Sequence, residues 1–128
     1  MPKTTQLVLS LQSKPGGLAG ISRALAAARV NILSLSAAEA AGRGKIRMIV
    51  NNPTAAKRTL RKARIRFIEE VAFSKRLRNK PGALARVVSK LASARINIKT
   101  AYATTAGRGG ATVVITVSNP AKARRLIG

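Results

Sequence analysis

SKPGGLAGISRALAAARVNI, residues 13–32, returns as NKPGALARVVSKLASARINI, residues 79–98. Lys14-Pro15-Gly16 aligns with Lys80-Pro81-Gly82 at a shift of 66 residues. The same shift carries Leu18 to Leu84, Leu25 to Leu91, Arg29 to Arg95 and Asn31-Ile32 to Asn97-Ile98. Farther along, Gly42-Arg43-Gly44 reappears as Gly107-Arg108-Gly109, and Asn51-Asn52-Pro53 corresponds to Ser118-Asn119-Pro120. These later shifts differ from the first by one residue, as expected where turns tolerate insertions. The chain is two copies of one unit.

The hydrophobic period changes in the same order within each copy. QLVLSLQS, residues 6–13, alternates Leu7, Leu9 and Leu11 with polar residues, the pattern of a half-buried strand. Lys-Pro-Gly then turns the chain into a helix, on which Leu18, Ile21, Leu25 and Ala28 fall at helical spacing. Leu84, Val87, Val88 and Leu91 repeat that stripe. VNILSLSA and KIRMIVNN read as a hairpin closed by the Gly42-Arg43-Gly44 turn. Residues 55–66, AAKRTLRKARIR, read as a basic helix begun by Pro53, and IRFIEEVAFSKRLRN, residues 65–79, as a long strand. The order β-α-β-β-α-β is the ferredoxin-like arrangement, an α+β unit with two helices on one face of an antiparallel sheet. Boundaries of 1–70 and 71–128 follow. The second copy stops at AKARRLIG, so its last strand is missing and a sheet edge needs cover from the other copy or another chain.

Composition narrows the chemistry. An apolar fraction of 46% is ample for a folded core, but aromatics are limited to Phe67, Phe73 and Tyr102, so that core must pack small branched side chains. Cysteine and histidine are absent, and the only carboxylate side chains are Glu39, Glu69 and Glu70. Disulfides, thiolate chemistry and the ordinary metal ligands are thereby excluded. A hydroxyl nucleophile would lack its usual base, so the chain is not expected to be an enzyme or to carry a cofactor. No run of about 18 apolar residues suggests a membrane span, and the opening residues read as a strand rather than a leader. The expected compartment is the cytoplasm.

The ordered set of strand, x-K-P-G-x-L, helix, N-I, hairpin, N-P and helix resembles the ACT domain, a small-molecule-binding regulatory module. The resemblance runs from about Gln6 to Ile127 as two tandem copies, as in short stand-alone tandem-ACT proteins. It implies that an amino acid or similar small carboxylate binds near the Pro-Gly loops, often where two ACT units meet. Carried over by position, the implied ligand residues are Ser13, Lys14, Pro15, Gly16, Gly17 and Leu18 with Asn31 and Ile32 in the first copy. In the second they are Asn79, Lys80, Pro81, Gly82, Ala83 and Leu84 with Asn97 and Ile98. Physically, a Pro-Gly turn delivers the chain to a helix N-terminus whose first N–H groups lack intrahelical partners and suit an anion. A turn that simply starts a helix would look the same. Ser13 and Asn79 stand where ACT relatives often place an acid, which leaves only neutral acceptors for a ligand ammonium. Asn51, Asn52 and Asn119 likewise replace acids before the second helix, where they can act as caps.

The remaining oddity is charge: 25 Lys and Arg against 3 acidic residues give a formal net charge of +22. Such a surface attracts polyanions, so nonspecific nucleic-acid binding through the Lys/Arg-rich helices is the alternative function; a solvated, solubilising surface is the plainer explanation. A homodimer is expected because sheet edges need pairing.

Overall fold

A computed structural model describes residues 1–12, 15–78, 80–105 and 110–128. The elements run β1 (Lys3–Gln12), α1 (Gly17–Ala27), β2 (Ile32–Ala40), β3 (Arg43–Val50), α2 (Pro53–Lys62), β4 (Phe67–Leu77), α3 (Ala83–Ser93), β5 (Ile98–Thr105), β6 (Ala111–Val117) and α4 (Pro120–Ile127). This is the α+β, twice-written ferredoxin-like order that the sequence predicts. The chain divides into two compact units, one of residues 5–70 and one of residues 1–4 with 71–128.

In the unit of residues 5–70 the strand order is β2-β3-β1-β4. Antiparallel pairing sets Leu7 opposite Met48 and Leu9 opposite Ile46. Because side chains alternate along a strand, this register gathers one apolar face. Ile21 and Leu25 of α1, and Ala56 and Leu60 of α2, pack on it. Leu9, Leu25 and Leu60 are wholly buried, together with the unbranched Met48, so aliphatic rather than aromatic side chains fill this core.

The other unit has the order β1-β4-β6-β5. Its core joins Phe73, Leu91, Ile96, Val113, Ile115, Val117, Ala123 and Ile127 with Met1. No strand follows α4 among the described residues. The first residues of the chain stand in that place instead: the Ser74 N–H donates to the Pro2 carbonyl at 3.0 Å, and Met1 is buried beside Phe73. The cover for the open edge thus comes from the same polypeptide.

Two local expectations are corrected. The hairpin reverses on Ala41 and Gly42, both at positive φ (53° and 77°), with Ala40 paired to Arg43. A two-residue turn of that kind matches the natural strand twist, so Arg43 and Gly44 belong to β3 rather than to the turn. The second Gly-Arg-Gly, at 107–109, lies outside the described residues. The basic helix also stops early, at Lys62 rather than Arg66. Arg64 adopts φ 59°, the Ile65 N–H reaches back to the Leu60 carbonyl at 2.9 Å, and Ile65 packs against the core. This is a Schellman ending with arginine where glycine is usual. The same ending closes α1 at Arg29-Val30 and α3 at Arg95-Ile96. Its signature, Leu-x-x-Ala-Arg-Val/Ile, is written three times in the sequence.

Candidate functional site

The four helices start in two different ways. α2 and α4 are capped by side chains: the Asn52 Oδ1 accepts from the Ala55 N–H and the Asn119 Oδ1 from the Lys122 N–H, both at 3.1 Å. The two asparagines are therefore caps, as expected. α1 and α3 instead begin from Gly16 and Gly82, at φ 86° and 88°, with no side-chain cap and no acid in the first turn. A side chain rarely adopts that backbone conformation, which accounts for glycine in both loops. Nothing lies within 4 Å of where a Cβ would stand at either position. The Pro-Gly loops thus present helix N-termini without side-chain caps to open space, with the positive end of each helix dipole behind them.

Around these two starts the surroundings differ. Beside α1, Leu11, Gly17, Gly20, Ile21, Ala24 and Ile65 line a small, mostly apolar recess of about 380 Å³. Beside α3, Lys75, Arg76, Lys80, Arg86 and Lys90 surround a recess of about 550 Å³ that also includes Ala83 and Val87. The positive field there is strong enough to be felt by a neighbouring group. The N-terminal ammonium of Met1 is held below its ordinary range by burial, and then by repulsion from Lys75 and Lys90. Of these cations the sequence reading named Lys80 alone. Arg86 and Lys90 stand four apart, the spacing of neighbours on a helix face, and that spacing was the available signal.

The sequence-derived residues fall into separate clusters. Ser13, Lys14 and Asn79 lie outside the described residues. Pro15, Gly16, Gly17 and Leu18 sit at the start of α1, and Lys80, Pro81, Gly82, Ala83 and Leu84 at the start of α3. Leu18 and Leu84, expected on the core stripe, are exposed at the entrances of their helices. Asn31, Ile32, Asn97 and Ile98 follow the opposite helix ends. Each helix has 11 residues, and at 1.5 Å per residue the two clusters of a unit are about 16 Å apart. One unit does not bring them together. A second recess, of about 560 Å³, lies beside Asn97 and Ile98.

At Asn31 and Asn97 the backbone is fully engaged. The Asn31 N–H donates to the Asn51 Oδ1 at 2.9 Å while its carbonyl accepts from the Asn51 N–H at 3.0 Å. Asn97 makes the same two-way clasp with Ser118, at 3.1 and 2.9 Å. Asn51 therefore ties a connector rather than capping α2. The clasp uses no side-chain atom of Asn31 or Asn97, and both residues are exposed, so their amides have no role in holding the connector.

The carboxylates are all occupied. Glu39 accepts from the Gly42 N–H, Glu69 pairs with Lys57 at 3.1 Å, and Glu70 accepts from the Gln6 amide at 3.3 Å. Among the described residues there is no group of three metal-ligating side chains, and no helix is long and apolar enough to cross a membrane.

A family model described as an ACT domain pair matches residues 3–128. Among solved structures, a protein from Bacteroides thetaiotaomicron superposes with a TM-score of 0.90 at 30% identity, over 98% of this chain and 86% of that one. The ligand-free regulatory subunit of aspartate kinase from Thermus thermophilus gives 0.68 at 18% identity, over 99% and 96%. The corresponding subunit from Thermus flavus gives 0.60 at 17%, over 89% and 85%. The last two likenesses are of fold. No curated protein matches the sequence.

Proposed function

Because this chain belongs to the family of ACT domain pairs, we propose that it is a non-enzymatic sensor that binds an amino acid or similar small carboxylate at its Pro-Gly loops. The observation that carries this reading is the contrast among helix starts. Asparagine caps α2 and α4, whereas the glycine-led starts of α1 and α3 have no side-chain cap; at α3 the Ala83 N–H donates to the Lys80 carbonyl at 3.3 Å, and the N–H groups that follow are left for a ligand. A ligand carboxylate would take the place of the missing cap, and close approach of the backbone requires the glycines. Lys80 and Arg86 add charge of the right sign around the α3 start. The exposed amides of Asn31 and Asn97, at the other helix ends, suit the donor and acceptor groups of a ligand presented from a neighbouring copy. The full occupation of Glu39, Glu69 and Glu70 by structural partners favours regulation over catalysis.

The proposed assembly is a homodimer. β2 pairs with β3 on one side only and ends its strand order, with Leu33 55% exposed along it. A partly apolar edge strand of nine residues, open along one side, is a template for a second copy.

A thermal-shift screen against the twenty amino acids tests the reading. One ligand should raise Tm saturably, by the equivalent of about 2.7 kcal/mol at a concentration one hundred times its Kd. The double substitution Gly16→Val with Gly82→Val should abolish the shift. A screen in which no amino acid or small carboxylate stabilises the protein would overturn the proposal, and sedimentation of the same samples at the mass of one chain would overturn the dimer.

A further inference from the structure

The unit of residues 5–70 contains a larger feature, away from its Pro-Gly loop. It is a groove of about 980 Å³ into which Arg43, Lys45 and Arg47 of β3, Arg61 of α2, and Arg66 just before β4 all contribute. The first three occupy alternate positions of one strand and so share one face of the sheet, about 14 Å from end to end. Cross-strand neighbours give them no counter-charge. Arg43 lies between Gln12 and Ala40, Lys45 between Ser10 and Ala38, and Arg47 between Val8 and Ser36. Among the described residues the ion pair is Lys57 with Glu69, so none of the five cations is neutralised by a carboxylate in contact.

Charge kept only for solubility would sit fully in water. Arg47 does not: it is half-buried, and its Nε is buried with no hydrogen-bond partner. An orphaned charged donor is costly and uncommon in a folded protein, which makes this atom a mark of something that completes the site. The edge of a guanidinium formed by Nε and one terminal nitrogen is the edge that grips a phosphate with two parallel hydrogen bonds. Beside the cations, Val8, Ile65 and the 59% exposed Ile68 supply apolar contact for an organic moiety.

We propose that this groove binds a small organic polyphosphate of the nucleoside diphosphate class, its phosphates on Arg43, Lys45 and Arg47 and its organic part against Ile68. The row of three cations calls for an anion with several charges rather than a single carboxylate. The volume is that of a small-molecule site. Glu69 and Glu70 in the wall repel the continuous backbone of a nucleic acid, whereas a compact ligand need not pass them.

Isothermal titration of the full chain with ADP, inorganic pyrophosphate and inorganic phosphate, at physiological ionic strength, tests the assignment. ADP and pyrophosphate should bind saturably, and phosphate more weakly than either. Lys45→Gln, at an exposed position, should weaken ADP binding about tenfold, and Arg47→Gln up to about a hundredfold. If Arg47→Gln fails to fold, the Lys45→Gln result decides. Heats reproduced by sulfate at matched ionic strength, affinities unchanged by substitution, or duplex DNA binding more tightly than ADP would each overturn the proposal. The double substitution Gly16→Val with Gly82→Val should leave this binding intact, which separates the outcome from that of the amino-acid screen.

Discussion

The two units share a frame and differ in their surfaces. Leu25 and Leu91 are both wholly buried at equivalent points of α1 and α3, Gly16 and Gly82 take φ angles within a few degrees of each other, and Arg29 and Arg95 close their helices in the same left-handed conformation. Yet the recess at the first Pro-Gly loop is lined by Leu, Ile and Ala, while its counterpart is ringed by lysine and arginine. The uncompensated row of Arg43, Lys45 and Arg47 occurs in the unit of residues 5–70; in the other unit the hairpin register matches Lys45 and Arg47 to the uncharged Thr112 and Val114 of β6, the latter wholly buried. Buried positions are constrained by volume and rotamer, so a duplicated frame is retained. Solvent-facing positions are constrained by little except function, so the two copies are free to recognise different ligands.

The largest test of this equivalence is in the core. Leu25→Ala and Leu91→Ala should each cost about 2–5 kcal/mol, and by similar amounts if the frames are equivalent. Urea unfolding followed by circular dichroism checks this. Two resolved transitions in only one of the variants would show that the cores are not interchangeable. The next effect is at the loops: Gly16→Ala and Gly82→Ala should each lower stability by about 1–2 kcal/mol. The Cβ meets no neighbouring atom, so the cost is backbone strain alone and should match in the two copies. A loss at one glycine and none at the other would break the symmetry. Smallest is the helix ending. Arg29→Gly and Arg95→Gly relieve the left-handed strain but remove a cation from a helix C-terminus, for a net gain of about 0.5 kcal/mol each. A lower Tm in either variant would show that the arginine is held there by more than its place in the turn.

Much of this was legible in the sequence because it follows from local rules. The alternation of Leu7, Leu9 and Leu11, the Pro-Gly turns, and Asn52 and Asn119 ahead of proline each specify an element by period or cap chemistry. The left-handed arginines were harder to foresee, because the usual mark of such an ending is glycine. Arg43 was misplaced for a related reason. Gly-Arg-Gly looks like a turn, and only the pairing of Ala40 with Arg43 puts the arginine in register with Lys45 and Arg47. The candidate site was legible as residue types but not as geometry, since the helix between the Pro-Gly loop and Asn97 holds them about 16 Å apart within one unit.

The sequence by itself determined the duplicated β-α-β-β-α scaffold, its cores and its helix starts, because hydrophobic period and turn chemistry act over a few residues. Tertiary structure alone decided which segment stands beside β4 in the second unit, where Pro2 and Met1 meet Ser74 and Phe73 across some seventy residues of chain. It also decided which of the many cations stand together without a partner. Those outcomes depend on strand register and on contacts distant in sequence, and no local pattern encodes either.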